Sequence, residues 1–240
     1  MATMTLDDLV TQLQAAYGSQ LSAVVLYGSA AAGEHIPKRS DYNVLVLLER
    51  IDPAATPAAA AAVARAWHEA GNPPPMTMTL GEWRGSSDVF PMEYADILDR
   101  HRVLHGTPPF DGIAVSASHL RLQLEQQVLG KLLQLRQGAL LAGTDGKRQL
   151  ELITASLSTM MVLFRAVVRL HGDKPAADNA ALAAQVARLA ELDAEPFVRA
   201  VRHLRGEAKL AAGDTGTVLA GYLTGIERLK HHLDRFPSTP

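Results

Sequence analysis

Apolar and polar positions follow two different periods in the first half of the chain. After Thr5, which can cap a helix, apolar residues recur at helical spacing through residue 17, so an opening helix is predicted. The runs "SAVVLYG", which Gly28 closes, and "YNVLVLLE" are short, apolar and rich in β-branched residues. Such runs are typical of buried strands, so we expect two strands here.

The next segments continue the alternation of helix and strand. The stretch from Pro57 to Ala70 is rich in alanine, the strongest helix former, and is predicted to be a helix that "GNPPP" ends. "MTMTL" then alternates as a strand does, and "GEWRGSSD" is typical of a turn. "VFPMEYADIL" also alternates, which predicts a further strand leading into "DRHRVLHG".

The pattern changes around "GTPPFDG" at residues 106–112, since the periodic segments that follow are all helical. The predicted helices cover 116–142, 146–171, 177–191, 195–210 and 214–235. The first of them carries an apolar stripe that we expect to pack against its neighbours. The predicted fold class is therefore α+β, with a mixed sheet and flanking helices over residues 1–112 and an all-α helical bundle over residues 113–240.

Composition narrows the classes of function. The 240 residues are 48% hydrophobic, enough for a large core, and the formal net charge of −2 disfavours a nucleic-acid partner. The absence of cysteine excludes disulfides, thiolate zinc sites and cysteine nucleophiles. The first residues do not resemble a signal peptide, and no run of about 18 apolar residues lacks a charge, so we expect no membrane partner and a cytoplasmic location.

One short segment combines a phosphate-binding turn with oxygen ligands. Gly28 and Ser29 lie where a strand passes to a short helix, and backbone N–H groups there can point at a phosphate, although a plain helix-capping turn has the same sequence. Asp41 follows twelve positions later at the start of the next strand. Asn43 lies on the same side of that strand, about 7 Å away. Paired oxygen ligands beside a phosphate-binding turn are the usual way to hold Mg²⁺ next to a triphosphate.

The segment "LYGSAAAGEHIPKRSDYNVLVLL" resembles the nucleotidyltransferase superfamily, whose members include aminoglycoside, kanamycin and minimal nucleotidyltransferases. The resemblance implies a Mg²⁺-bound nucleoside triphosphate and transfer of a nucleoside monophosphate to a hydroxyl of a small-molecule acceptor. In the family two aspartates bind metal, and a third carboxylate on a later strand completes the site or acts as a base. Asp41 matches the first aspartate and Glu93 is the candidate for the third, since Asp96 would face the other way on a regular strand. Related proteins commonly pair, so a homodimer is also expected.

Asn43 departs from the family pattern of Asp-x-Asp. An asparagine carbonyl can bind Mg²⁺, but it is neutral, so metal affinity should fall. This leaves two alternatives: an active nucleotidyltransferase, or a non-catalytic nucleotide-sensing or interaction protein with the same fold. Lys38 and Arg39 either neutralise phosphate charge or form a solvated loop pair.

Two further sets of residues have competing interpretations. Trp83 and Arg84 could contact a base or an acceptor, while core packing is the alternative for Trp83. Arg165 and His171 have the spacing of the motif in HEPN-type ribonuclease domains, which often accompany nucleotidyltransferase domains. A histidine at the end of a helix, favourable to the helix dipole, is the alternative for His171. The ribonuclease hypothesis requires Arg165 and His171 to share one exposed pocket.

Overall fold

The computed structural model describes residues 4–28, 30–31, 33, 42–52 and 57–237. The chain divides into two compact units, Met1–Val115 and Ser116–Pro240. The first unit contains all the strands found in the described residues, and the second is helical there.

A four-stranded mixed sheet forms the centre of the first unit. Its strands are β1 (Leu21–Tyr27), β2 (Asn43–Leu48), β3 (Met76–Thr79) and β4 (His101–Gly106), in the order β3-β2-β1-β4. The central strand β1 is antiparallel to both β2 and β4, while β2 and β3 are parallel. The predicted strands at "SAVVLYG", "YNVLVLLE" and "MTMTL" are confirmed.

Helices cover both faces of this sheet. They are α1 (Leu6–Tyr17), α2 (Ala58–Glu69), α3 (Leu80–Gly85) and α4 (Pro91–Asp99). On one face Leu9 of α1 and Trp67 of α2 pack against Val24 and its neighbours. On the other face Trp83 of α3 and Tyr94 of α4 pack against residues that include Leu45. Because both faces are covered, β1 and β2 are apolar along most of their length, which is why they were readily predicted.

The segment from Thr79 to Asp99 differs from the prediction. "GEWRGSSD" was expected to be a turn, but Thr79 caps α3 through a capping box with Glu82. "VFPMEYADIL" was expected to be a strand, but its residues from Pro91 onward form α4, with Pro91 at the first helical position. A proline there has the φ angle of a helix and needs no N–H partner, so it favours helix initiation over strand pairing.

The second unit is a bundle of long helices. They are α5 (Ala117–Ala142), α6 (Gly146–Leu170), α7 (Asn179–Ala190), α8 (Glu195–Arg205) and α9 (Thr215–Arg235). All five predicted helices are confirmed, with α8 ending earlier than expected at Arg205, because Gly206 adopts a left-handed conformation. The α6 helix is the most buried, and Phe164 stacks edge-on against Phe197 of α8 with ring centroids 5.0 Å apart.

The α6 helix is also long and apolar enough to cross a membrane by length and composition alone. In its most apolar window 56% is buried inside the protein, which is typical of a core helix.

The predicted fold class, a mixed sheet with flanking helices followed by a helical bundle, is confirmed.

Candidate functional site

The predicted site residues fall into two groups. Ser29, Lys38, Arg39 and Asp41 lie outside the described residues. Gly28, Asn43 and Glu93 lie within them and, with their neighbours, form the described part of the candidate site.

Gly28 makes a left-handed turn at the end of β1. Its φ is 77°, a conformation that side-chain-bearing residues rarely adopt. Its backbone N–H donates to the carbonyl of Arg100 at 3.0 Å, which extends the pairing of β1 with β4 by one residue. The chain can therefore turn sharply at Gly28 while the strand before it stays anchored.

Three side chains form a row across this end of the sheet. Tyr27, the last residue of β1, lies between the other two. It pairs with Asn43 of β2 on one side and with His101 of β4 on the other. Residues directly opposite in antiparallel strands project to the same face. Tyr27 packs with the cluster that contains Tyr94 and Ile97 of α4, so this row faces α4.

Asn43 and Asp96 converge on Gly28 from two different elements. A Cβ atom added at Gly28 would lie 3.4 Å from Nδ2 of Asn43 and 3.7 Å from Oδ2 of Asp96. A side chain at position 28 would thus occupy the space beside both polar groups. The glycine leaves room at the point where an amide and a carboxylate meet.

Two carboxylates of α4, those of Asp96 and Glu93, lie close enough to Tyr27 to act on its hydroxyl. Burial raises the pKa of Tyr27 to about 12, and the negative charges of Asp96 and then Glu93 contribute to the increase. The Tyr27 phenol is therefore protonated at any ordinary pH and remains a hydrogen-bond donor. Glu93 and Asp96 are three residues apart on a helix, so they occupy neighbouring positions on one helical face.

The placement of these carboxylates corrects the sequence prediction. Glu93 was expected on a later strand and Asp96 on the opposite face of that strand, but both belong to α4, where residues three apart are neighbours. The later strands β3 and β4 carry no carboxylate at all. On β3 the positions packed on the α4 side are Met76 and Met78. The third carboxylate of the family pattern thus has no counterpart on a strand.

The donor set around Gly28 fits a hard cation only in part. Carboxylate and amide oxygens are the ligands that Mg²⁺ prefers, and Asp96 presents its Oδ2 atom beside Gly28, whereas Asn43 presents its Nδ2 atom and would ligate a cation only with its amide turned to bring Oδ1 there. In the described part of the chain no three histidine, aspartate or glutamate side chains group closely enough to hold a metal ion. A cation here would need the nucleotide phosphates to supply most of its other ligands.

The residues of the ribonuclease hypothesis have separate partners. Arg165 donates to Oδ1 of Asn179 at 2.9 Å. His171 instead lies with its Nε2 atom 3.0 Å from Nε2 of His232, and Phe236 packs edge-on against its ring. The contacts do not bring Arg165 and His171 into one pocket, and His171 occupies the end of α6 as the helix-end interpretation expects.

Trp83 belongs to the core of the first unit. It is fully buried, stacks on Tyr94 with ring centroids 4.2 Å apart, and its indole N–H donates to the carbonyl of Pro109 at 2.7 Å. The hydroxyl of Tyr94 donates to the carbonyl of Trp83 at 2.6 Å. These contacts join α4, which carries Asp96, to α3 and α3 to the segment that follows β4. Because Trp83 is fully buried, its interpretation as a base-stacking residue is wrong.

The mixed sheet of the first unit and the helical second unit follow one another in an order that has a counterpart among solved structures. In structure the chain is similar to the spectinomycin adenyltransferase AAD(9) from Enterococcus faecialis, whose crystal structure contains ATP and spectinomycin. The match has a TM-score of 0.58 at 10% sequence identity and covers 96% of this chain and 100% of the other. No protein-family model matches the sequence, and no curated protein matches it. The resemblance to nucleotidyltransferases is confirmed at the level of the fold.

Sequence reasoning gave too little weight to Asp96. The proline at position 91 and the spacing of the buried residues Tyr94 and Ile97 were the available signals for a helix. On a helix, Asp96 turns toward the same side as Glu93. The apolar run predicts only that Tyr27 belongs to a strand. Nothing in the sequence indicates that its hydroxyl lies near two carboxylates.

Proposed function

We propose that this protein binds a magnesium–nucleoside triphosphate at the Gly28 end of β1 and transfers its nucleoside monophosphate to a hydroxyl of a small-molecule acceptor. The observation that carries the proposal is the convergence of Asn43 and Asp96 on Gly28. The fold of a protein whose structure contains ATP and spectinomycin supports it.

In this proposal each part of the site has a distinct role. The N–H of Gly28 is taken by the carbonyl of Arg100, so the backbone N–H groups assigned to the phosphates are those that follow it in sequence, beginning with Ser29, and Lys38 and Arg39 neutralise phosphate charge. Asp41, Asp96 and Asn43, the last through its amide oxygen, would hold Mg²⁺, which would supply charge neutralisation at the phosphates when bound. The Tyr27 hydroxyl stays protonated and donates a hydrogen bond at the edge of the site.

Transfer needs a group that accepts the proton of the acceptor hydroxyl. We assign this role to Glu93, which lies beside Tyr27 and one helical turn from Asp96. The acceptor oxygen forms a bond to the α-phosphorus, the bond from that phosphorus to the bridging oxygen of the β-phosphate breaks, and pyrophosphate leaves. The hydroxyl proton passes to Glu93.

A non-catalytic nucleotide-binding protein is the second candidate, and the strands favour it. Asn43 has no charge, and Met76 and Met78 occupy the α4-facing side of β3. In-line transfer depends on cations that clamp both the attacking and the leaving oxygen. A site with fewer strand carboxylates holds such cations less well, so binding without turnover is the alternative outcome.

A pyrophosphate-release assay separates these two candidates. The protein would be incubated with ATP, Mg²⁺ and a panel of hydroxyl-bearing small molecules, including aminocyclitols, and acceptor mass would be followed in parallel. Acceptor-dependent pyrophosphate release with a nucleotidylated product supports transfer, and Glu93→Gln should abolish it while leaving ATP binding intact. ATP binding without pyrophosphate release or product for any acceptor supports the second candidate.

A further inference from the structure

The long helix α5 has two apolar faces. Its inner face is buried in the bundle through Leu120, Leu124, Val128, Leu132 and Leu135. Five more leucines of α5 are exposed. Four of them share its outer face, with exposed fractions of 61% at Leu122, 39% at Leu129, 48% at Leu133 and 84% at Leu140, whereas Leu141, 81% exposed, lies about 100° away around the helix. A solvent-facing helix surface is normally polar, so this outer stripe needs a partner.

The outer leucines form a straight line along the helix. Leu122 and Leu140 are 18 residues apart, which is five full turns at about 3.6 residues per turn. Leu129 and Leu133 lie about 20° to either side of that line, as seam residues of a coiled coil do. The stripe is about 27 Å long, enough for an extended helix-to-helix contact.

The stripe is symmetric about its midpoint. Leu122 and Leu140 each lie nine residues from position 131, and Leu129 and Leu133 each lie two residues from it. A two-fold axis at this level, with two α5 helices antiparallel, therefore places Leu122 opposite Leu140 of the second copy. The same axis places Leu129 opposite Leu133. The face is thus complementary to itself, which is what a two-fold dimer interface requires.

Polar residues of the stripe select the antiparallel arrangement. The remaining seam positions hold Gln126 and Arg136, both exposed, and each lies five residues from the midpoint. Antiparallel pairing sets Gln126 opposite Arg136 of the second copy, so an amide carbonyl meets a guanidinium. Parallel pairing in register would set Arg136 against Arg136, and like charges across a seam are unfavourable. Arg136 also donates to Glu227 of its own chain at 2.7 Å, and its guanidinium has further N–H donors for a second partner.

We propose that two copies of this chain associate through the outer faces of their α5 helices, antiparallel, with the two-fold axis at the level of residue 131. The proposal does not depend on nucleotide binding. It gives the expected homodimer a specific surface and register, and it accounts for leucines that the bundle leaves in solvent.

Sedimentation equilibrium on the full chain tests the surface. The wild type should be a dimer at tens of micromolar, and Leu129→Glu or Leu133→Glu should raise the dissociation constant at least about 100-fold, because each change places two charges at the centre of the seam. Leu204→Glu on α8, where the leucine is 45% exposed, is the matched control and should leave the dimer unchanged. Circular dichroism should show unaltered helix content in all three variants, and it is needed because each of these leucines is only 39–48% exposed in a single chain.

Crosslinking tests the register, and the lack of native cysteine makes every introduced thiol unambiguous. A chain carrying both Gln126→Cys and Arg136→Cys should form a covalent dimer with a short bismaleimide. Either single variant should not, because the same position in the two copies would be about 15 Å apart along the antiparallel helices. A monomeric wild type at 100 μM or a dimer that survives both glutamate substitutions would overturn the proposal. So would single-cysteine variants that crosslink as well as the double variant.

Discussion

Among single residues, Asp96 matters most, because its carboxylate places a negative charge beside Gly28. The strand position expected to hold a second carboxylate carries the neutral Asn43, and the loss of charge on β2 is matched by a carboxylate from α4 within reach of the same glycine. A helix-borne ligand depends on how the helix is fixed to the sheet. The stacking of Tyr94 on Trp83 provides that attachment.

Replacing Asp96 tests its role directly. Asp96→Asn should weaken Mg²⁺-dependent ATP binding at least about tenfold, because the described part of the site loses its nearest carboxylate to Gly28. Asp88→Asn, an exposed aspartate in the segment between α3 and α4, is the matched control and should bind as the wild type does. Isothermal titration calorimetry in the presence of Mg²⁺ measures both. Equal affinities for Asp96→Asn and wild type would remove Asp96 from the metal site.

Restoring the strand carboxylate should have two opposite effects. Asn43→Asp places a second negative charge near Asp96, so without metal the free energy of unfolding should fall by about 1 kcal/mol. With Mg²⁺ and ATP the same variant should bind about tenfold more tightly, because the cation gains a charged ligand. Thermal melts with and without Mg²⁺–ATP measure both effects. A variant whose melting temperature and ATP affinity both match the wild type would show that position 43 does not face the metal.

Among the helices and strands, the sequence was most informative where burial alone determines the pattern of apolar residues. β1 and β2 are covered on both faces, so continuous apolar runs identified them, and the long bundle helices had enough periodic residues to be located. The α4 helix was missed because a nine-residue helix with Met92 and Tyr94 on either side of Glu93 also alternates like a strand. Pro91 favours the helix, since it lies at the first helical position. That α4 brings Asp96 toward Gly28 is visible only from the packing of Tyr94 on Trp83.

The junction between α6 and α9 should make the second unit sensitive to pH. His171 and His232 stack 5.1 Å apart with Nε2 atoms 3.0 Å apart. Burial lowers the pKa of both, and the positive charge of His171 lowers the pKa of His232 further, whereas Asp173 and Glu191 partly offset these effects. A pocket beside His232 is also lined by the cationic side chains Arg228 and Arg235, together with His231.

The sign follows from proton binding. The folded state holds fewer protons on this pair than the unfolded chain does between the lowered pKa values and the usual value of about 6.5. Stability should therefore decrease as the pH falls from 7 to 5, and His171→Asn should reduce that decrease. Urea denaturation at several pH values measures it, with the exposed His119→Asn as the control that keeps the wild-type slope. A slope unchanged by His171→Asn would show that the pair does not control the pH response.

At the scale of the whole molecule, fold and chemistry are separable. A chain with 10% identity to AAD(9) has the same order of a mixed sheet unit and a helical unit, so the fold class could be predicted from apolar patterning and the glycine turn. The acceptor of the proposed transfer could not be predicted, because an acceptor would be chosen by side chains at exposed positions, where patterning carries no information. The ligand set around Gly28 could be predicted only in part, since Asp96 reaches it through tertiary packing.

Nucleotide binding at Gly28 is tested most directly by a calorimetric titration of ATP and GTP into the wild-type protein, with Mg²⁺ and then with EDTA in its place. We expect saturable binding of at least one nucleotide that requires Mg²⁺ and that weakens in Gly28→Val, whose side chain would fill the space beside Asn43 and Asp96. Circular dichroism of that variant checks that it is folded. No binding of either nucleotide, or binding that is equal with EDTA and in folded Gly28→Val, would show that this end of β1 is not a magnesium–nucleotide site.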